Sequence, residues 1–255
     1  MAFLSTLAYA IPLLVFCVAW EVAVTLRIIN PDILPAFSSV VLAFVDLFTS
    51  GSNLRHLLIT LYRTFLGLGL GMALGVLLAL GMARSKWVKT LFEPLLVLTY
   101  PLPKPAIIPL TMIWWGVGDF PKIVVVAVGC LLPMVTNTYL GLVNVEKTLV
   151  WSALSMGTTG RHMVRKVLLP GAMPYIFNGT RISLALAFII IIANELVASR
   201  AGLGNLILTF GQMGTYDYMF GAMLSAILVA YAADRLLLRL GNALLHWYKE
   251  AGSRI

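Results

Sequence analysis

The stretch TFLGLGLGMALGVLLALG, residues 64–81, contains no charged side chain and is apolar after its first residue. A helix needs about 20 mostly apolar residues to cross the hydrocarbon core of a bilayer. The run is continuous and does not alternate, so it predicts a transmembrane helix and not a strand of a membrane barrel. Gly67, Gly71 and Gly75 share one helix face, which predicts close contact with a neighbouring helix or, alternatively, a glycine-lined path wall.

The composition of the whole chain agrees with this stretch. Of its 255 residues, 60% are hydrophobic and only 11% are charged, and the mean hydropathy is +0.96. A soluble domain carries about a quarter charged residues, so we predict an integral membrane protein. The net charge of +8 is explained by basic cytoplasmic loops and does not require a nucleic-acid partner.

Six segments are long and apolar enough to span a bilayer: roughly 8–27, 64–83, 92–117, 122–145, 179–198 and 217–240. We therefore predict an all-α membrane protein with about six transmembrane helices in one domain, residues 1–255. Basic residues concentrate in loops 84–91 and 146–178 and in the C-terminal tail, which places both termini in the cytoplasm. In the long loop after the first span, a short helix over residues 40–48 is predicted, with Ser38 or Ser39 as its N-cap.

The third predicted span is rich in proline. Pro101, Pro103, Pro105 and Pro109 each remove a backbone donor and clash with the preceding turn. We expect this helix to bend or break near Pro101–Pro105. Lys104 lies in the expected break, where its ammonium either extends to the inner interface or faces a water-filled cavity.

Residue types that would indicate an enzyme or a cofactor site are scattered. Cys17 and Cys130 lie in separate apolar runs, and the histidines lie in three separate segments. No Walker-type glycine loop is present, so the chain does not bind ATP by that device. We expect no catalytic residue, metal or cofactor in this chain.

The segment 146–178 is basic where the rest of the chain is apolar. Arg161, His162, Arg165 and Lys166 occur within six positions, and apolar residues at helical spacing precede and follow them. The pattern predicts two short helices joined by a glycine turn on the cytoplasmic face. Its basic side chains could contact lipid phosphates or an acidic partner, and an ordinary cytoplasmic loop is the alternative.

The spacing within this segment resembles the cytoplasmic loop of bacterial ABC importer permeases, whose pattern is E-A-A, three residues, G, nine residues and I-x-L-P. Gly157 and Pro170 match that spacing without a gap. Ala153 matches an alanine of the pattern, whereas Trp151 stands in place of the glutamate and Ser152 in place of the first alanine. The stretches YPLPKPAIIPLTMIWWGVGDFPKI, residues 100–123, and NELVASRAGLGNLI, residues 194–207, resemble the nitrate/sulfonate/taurine-type permeases.

This resemblance implies a type I ABC importer permease fold in a bacterial inner membrane. Two copies, usually a homodimer, would form the path for a small anion such as nitrate, a sulfonate or taurine. Two ATPase subunits would bind ATP and Mg and dock from the cytoplasm, and an extracytoplasmic solute-binding protein would deliver the substrate. The alternative is a secondary transporter, which would more often show inverted repeats and more intramembrane charges.

The resemblance also implies that the loop at about 146–170 seats in a groove of the ATPase. The expected coupling residues are Trp151, Ser152, Ala153, Leu154, Met156, Gly157, Val167, Leu169 and Pro170. Trp151 is the expected anchor, because large aromatic side chains dominate interface energetics. The expected path residues are Lys104, Pro109, Met112, Trp115 and Glu195. For Glu195 the alternative is a structural ion pair with a base such as Arg200.

Overall fold

The computed structural model describes residues 2–197 and 199–245. The helices are α1 Ala2–Thr25, α2 Phe37–Thr49, α3 Ser52–Arg84, α4 Lys86–Thr99, α5 Ile108–Trp115, α6 Asp119–Val143, α7 Lys147–Ser155, α8 Gly160–Met163, α9 Leu169–Val197, α10 Leu203–Gln212 and α11 Tyr216–Leu244. A 3-10 turn precedes α5, and a π-helical turn joins α8 to α9. No strand occurs in the described residues, which confirms the predicted all-α class. The predicted cytoplasmic C-terminal tail lies outside them.

The predicted spans correspond to helices, although their number is approximate. Among the described residues, four helices are long and apolar enough to cross a membrane: Asn53–Arg84, Asp119–Val143, Gly160–Val197 and Tyr216–Leu244. A bent pair, Lys86–Thr99 with Lys104–Trp115, makes five if it is counted as one span. The predicted first span, 8–27, overlaps α1, of which Leu14–Thr25 counts only as a shorter apolar helix. The second and fifth spans begin well before their predicted starts, because polar and basic residues at their ends are accommodated within the helices.

The chain divides into two compact units. One comprises Met1–Thr60 and Ala198–Val229, and the other comprises Leu61–Val197 and Ala230–Ile255. Helices α3 and α11 contribute residues to both units. The larger unit contains the broken span, the connecting segment after α6 and all of α9.

In the smaller unit, α2 confirms the predicted short helix but not its cap. Its N-cap is Ala36, and no side chain of the cap residue accepts a hydrogen bond. Ser38 instead donates its backbone N–H and its hydroxyl to the Glu21 carboxylate, at 3.0 and 2.8 Å. A carboxylate accepts these donors more strongly than a serine hydroxyl, so Glu21 of α1 caps α2 from outside.

Two side chains of α3 hold the start of α10 in the same unit. Gly202 N–H lies 3.1 Å from His56 Nδ1, and Leu203 N–H donates to Thr60 Oγ1 at 2.9 Å. The first N–H groups of a helix have no partner within the helix, so these side chains satisfy two of them. Gly202 has φ +120°, a conformation that L side chains rarely adopt.

In the larger unit, the glycine face of α3 lies against α6. A Cβ at Gly67 would lie 2.6 Å from Val126 Cβ, and one at Gly71 would lie 2.6 Å from the carbonyl oxygen of Ala127. Gly75 is closed off equally tightly by α6. These distances confirm the predicted close helix contact, in which small residues let two backbones approach.

The third span is broken where its prolines predict. Helix α4 ends at Thr99, a 3-10 turn spans Lys104–Ile107, and the two helical parts are bent by 97°. Non-helical backbone at membrane depth is tolerated only against protein or a water-filled cavity. The break therefore identifies a place where the bundle does not face lipid.

In the connecting segment, which we define as residues 146–170, the first predicted short helix and the glycine turn are present, but the second short helix is not. Helix α7 is the first short helix, and Gly157 and Gly160 form the glycine turn with φ +76° and +55°. The prediction of a separate second short helix is wrong, because the chain from Gly160 runs as one helix to Val197. Pro170 does not end a helix. The π-helical turn Val164–Leu168 directly before it removes the regular backbone pairing that a proline would disrupt.

Candidate functional site

Helix α9 has one open face in the middle of the larger unit. The residues exposed on this face are Asn178, Arg181, Ile182, Ala185 and Ile189. The opposite face is buried at Ser183, Leu184, Ala187, Phe188 and Ile191. A charged side chain facing lipid near the middle of a span is costly, and such residues face a bundle interior or a water-filled cavity. The open face of α9 is therefore not a lipid-facing surface.

The break in the third span and the open face of α9 enclose a first cavity of about 520 Å³. Its lining residues are Tyr100, Leu102, Pro103, Lys104, Pro105, Gly129, Leu132, Pro133, Thr136, Asn137, Ile182, Leu186, Ile189 and Ile190. Most of these side chains are apolar, and no acidic side chain lines the cavity in the described residues. The missing side chain of Gly129 makes space for the Ile190 side chain, whose end a Cβ at position 129 would meet.

Lys104 is the only lysine or arginine among the described residues that line this first cavity. Its Nζ donates to the carbonyl oxygens of Thr99 and Tyr100, at 3.0 and 2.9 Å, which are the terminal carbonyls of α4. An ammonium has three N–H donors, so one remains for a further partner. Within residues 2–197 and 199–245, Lys104 forms no salt bridge. Of the two alternatives for this lysine, the structure supports the cavity.

A second cavity of about 570 Å³ lies between α9 and α11. Arg181 Nε donates to Asp234 Oδ1 at 2.9 Å, and Arg181 Nη2 donates to Oδ2 at 3.3 Å. The two side chains are 50% and 31% exposed. Sequence reasoning missed both residues, although each lies within a predicted span, where a charged residue is itself a signal of function.

The two cavities meet along α9. Ile182 and Ile189 line both of them. Asn178 Nδ2 in the second cavity donates to Asn137 Oδ1 in the first, at 2.9 Å. Lys104, Asn137, Asn178, Arg181 and Asp234 each line one of these two cavities, and we call this set the polar band. It crosses the broken span, α6, α9 and α11 within the larger unit.

The other expected path residues on α5 do not line either cavity. Pro109 and Trp115 are exposed and Met112 is half-buried. The Trp115 ring packs edge-on against Phe120, with centroids 5.5 Å apart. Of the residues predicted to line the path, the structure brings only Lys104 into the polar band.

Glu195 lies in a closed ion pair and not in a cavity. It is fully buried, and its Oε1 accepts from Arg63 Nη1 at 2.7 Å. Arg63 also donates from Nε and Nη2 to Asp119 Oδ1, at 2.8 and 2.6 Å. The predicted structural pairing of Glu195 is present, but its base is Arg63. Arg63 was assigned to a loop and is instead buried in α3, because that helix starts at Ser52.

Two further polar residues are buried beside this pair. Lys122 is 1% exposed, donates to the carbonyl oxygen of Gly118 at 2.8 Å and lies within electrostatic range of Arg63. The side chain of Asn194 is buried with neither of its polar atoms hydrogen-bonded. Lys122 is the first residue of the predicted fourth span, and α6 begins three residues before it. We call Arg63, Lys122, Asn194 and Glu195 the buried charge cluster; Asp119, which also accepts from Arg63, is 52% exposed.

The connecting segment exposes apolar side chains. Trp151, Leu154 and Met156 are 63%, 49% and 75% exposed, and we call them the apolar patch. Ala153, on the other side of α7, is 4% exposed and holds the helix to the unit. Of the other expected coupling residues, Ser152 and Gly157 are exposed, whereas Val167, Leu169 and Pro170 are half-buried. Nothing within 4 Å would meet a Cβ at Gly157, so its positive φ alone calls for glycine.

The described residues contain no group of three or more His, Cys, Asp or Glu side chains that could hold a metal ion. The described site offers electrostatic and apolar surfaces. It consists of cations lining cavities in the spans and an apolar patch outside them.

A protein-family model described as "Binding-protein-dependent transport system inner membrane component" matches residues 71–245. The matched range includes both the polar band and the connecting segment. The chain belongs to this family. It is an ABC transporter permease and an integral membrane protein, and family membership sets aside the alternative of a secondary transporter.

Two relatives resemble the permease over most of its length. It is 30% identical over 228 residues to the putative aliphatic sulfonates transport permease protein SsuC of Bacillus subtilis (strain 168), which covers 89% of this chain and 83% of the relative. It is 27% identical over 243 residues to the taurine transport system permease protein TauC of Escherichia coli (strain K12), which covers 93% and 88%.

The fold of the permease is also found among solved structures. A chain of an inward-facing MetNI methionine ABC transporter matches with a TM-score of 0.65 at 22% identity, covering 75% of this chain and 95% of that chain. This likeness confirms the predicted ABC importer permease fold.

Proposed function

We propose that this permease imports a small anion across a bacterial inner membrane, driven by ATP hydrolysis in a separate ATPase subunit. The observation that carries the proposal is Lys104, which lines a mainly apolar cavity and has no carboxylate partner in the described part of the chain. Apolar walls weaken dielectric screening, so an unpaired cation among them attracts anions and repels cations.

The cavity walls favour an anion with an aliphatic part. Leu132, Leu186 and Ile190 offer apolar surface beside the Lys104 ammonium. Nitrate has no apolar part to bury there. The ammonium group of taurine would find no acidic side chain among the described lining residues. An aliphatic sulfonate matches both features, and the relative named for aliphatic sulfonates supports this choice.

The apolar patch is the proposed contact with the ATPase. Exposed apolar side chains outside a membrane span lose water-exposed area when a partner covers them, and a large aromatic such as Trp151 contributes most. The turn at Gly157 fixes α7 at an angle to the helix that follows. Motion of an ATPase groove around α7 would then pass into α9 and its open face. ATP and Mg belong to the ATPase, and this chain holds no cofactor.

The complete importer would contain two permease copies, as a homodimer, and two ATPase subunits. A solute-binding protein would deliver the anion from outside, and both permease termini would lie in the cytoplasm. The basic residues of loops 84–91 and 146–178 support this orientation. Lipid surrounds the remaining helix faces, and no nucleic acid takes part.

Uptake of radiolabelled butanesulfonate into vesicles containing the complete complex tests the proposal. Lys104→Met should reduce uptake about tenfold or more at low substrate concentration, since the cation that attracts the anion is removed. Lys104→Arg should retain most of the uptake. Lys86→Met removes an exposed lysine away from the cavity and serves as the matched control. Unchanged uptake by Lys104→Met, with the complex intact, would contradict the anion proposal.

A further inference from the structure

The Arg181–Asp234 pair has no role in the contacts assigned so far. It lies within the spans of α9 and α11, and about half of the arginine side chain is exposed to the second cavity. In the other arginine–carboxylate pair that involves α9, the arginine, Arg63, is only 6% exposed. The open position of Arg181 therefore needs another explanation.

The guanidinium of Arg181 is only partly used. Its five N–H donors form a planar fork that matches the oxygens of a carboxylate or sulfonate. Nε and Nη2 donate to Asp234, and Nη1 has no hydrogen-bond partner in the described residues. The cavity beside it is bounded by Ile182, Leu184 and Phe188, so it offers apolar volume next to the free edge of the guanidinium.

The second cavity, which contains Arg181, is connected to the first cavity, which contains Lys104. The Asn137–Asn178 hydrogen bond joins the two cavities, and Ile182 and Ile189 belong to both walls. An anion that leaves Lys104 along α9 would meet Asn178 and then Arg181. Lys104 and Arg181 would then be two successive anion-binding stations, each of which combines one cation with apolar walls.

We propose that Arg181 is a second anion-binding residue and that Asp234 occupies it when no ligand is present. The ligand is an organic oxyanion, a sulfonate or carboxylate with a short apolar tail, whose anionic group replaces the Asp234 carboxylate on the guanidinium. This inference rests on the proposed transport of an anion. With no ligand bound, the Asp234 carboxylate neutralises the guanidinium of Arg181.

The exchange has a thermodynamic signature. A site whose competent state is only partly populated binds with an affinity reduced by that fraction. Removing the competing carboxylate should therefore tighten anion binding, whereas removing an ordinary structural partner should not. This makes Asp234→Asn a gain-of-binding variant, which misfolding cannot imitate.

The test measures thermal stabilisation of the purified permease–ATPase complex by sodium butanesulfonate, with butylammonium chloride as the probe of opposite charge and equal tail. Butanesulfonate should stabilise the wild-type complex and butylammonium should not. Asp234→Asn should lower the half-maximal concentration of butanesulfonate about fivefold. Arg181→Gln should raise it by a similar factor, and Arg181→Lys should be intermediate because it keeps the charge and loses the fork. Asp46→Asn, which removes an acceptor of Tyr218 elsewhere, should behave like the wild type.

Two different results would overturn two different claims. If the wild type distinguishes the two probes but Asp234→Asn and Arg181→Gln keep its dose response, the second station is wrong and the Lys104 proposal stands. If the wild type does not distinguish the probes, and its vesicles take up no butanesulfonate, the anion proposal and this inference fail together. Binding weakened by Asp234→Asn would also contradict the exchange.

Discussion

Outside the spanning helices, the connecting segment exposes Trp151, Leu154 and Met156, whereas within the spans the polar band exposes Asn178 and Arg181. Each region thus presents the chemistry that its surroundings favour least. Apolar side chains exposed outside the membrane indicate a protein partner, and polar side chains exposed within it indicate a hydrated path. The comparison teaches that exposure measured against the local solvent, and not polarity alone, identifies the working surfaces of this permease.

The buried charge cluster and the polar band differ in the exposure of their ion pairs. Both contain an arginine–carboxylate pair involving α9. The Arg63 and Glu195 side chains are 6% and 0% exposed, whereas those of Arg181 and Asp234 are 50% and 31% exposed. We interpret the closed pair as structural and the open pair as functional.

The largest expected effect tests this interpretation directly. Glu195→Gln leaves the buried Arg63 without one of its two carboxylates, and we expect a loss of about 3 kcal/mol in the free energy of unfolding. The matched change Asp234→Asn should alter the unfolding midpoint little, since its pair is open to the cavity. Thermal unfolding of the purified permease measures both. Equal losses in the two variants would show that exposure does not separate the pairs.

The second prediction concerns the apolar patch. Trp151→Ala should weaken attachment of the ATPase by about 2 kcal/mol, roughly thirtyfold in affinity, because a buried aromatic anchor is lost. Gly157→Leu should also uncouple, since the left-handed turn at φ +76° strains any L side chain. Substrate-stimulated ATPase activity of the reconstituted complex measures coupling.

Charge provides the control for the apolar patch. The triple change of Arg161, Arg165 and Lys166 to Gln should be milder, with each exposed charge contributing about 0–1 kcal/mol. If this triple variant uncouples and Trp151→Ala does not, the segment works by electrostatics, and the account of the patch is wrong.

The smallest expected effect lies within the polar band. Asn178→Leu removes the hydrogen bond to Asn137 that joins the two cavities. A neutral hydrogen bond contributes about 1 kcal/mol, so uptake of butanesulfonate should fall about fivefold or less. Uptake equal to that of the wild type would show that the two cavities need no polar bridge.

The spans and the break could be predicted because they depend on local rules. Continuous apolar runs predict helices, and the proline density around Pro101–Pro105 predicts the bend without any knowledge of neighbours. The glycine spacing of α3 likewise predicted a close helix contact. The same rules placed Arg63 in a loop before the predicted second span, since a charged residue ends an apolar run unless a distant partner neutralises it.

The polar band could not be assembled from the sequence. A single arginine or aspartate changes the mean hydropathy of a span very little, so Arg181 and Asp234 left the predicted spans intact. Their pairing joins residues 53 positions apart on two helices. Lys104 was found because proline marked its surroundings. Pro170 was expected to end a short helix, but the π-helical turn before it accommodates the proline ring within a continuous helix.

The central claim is that the polar band is a hydrated, anion-selective path. Chemical labelling of Ile182→Cys, which lies in the wall of both cavities, tests it most directly in a Cys17→Ser, Cys130→Ala background of the purified complex. Each reagent's labelling rate is divided by its rate with a free thiol in solution. On this scale an anionic methanethiosulfonate reagent should react about tenfold faster than a cationic one, because a cation that lines the cavity concentrates anions there. The preference should disappear in Lys104→Met. No labelling by either reagent, or a preference for the cationic one, would contradict the account.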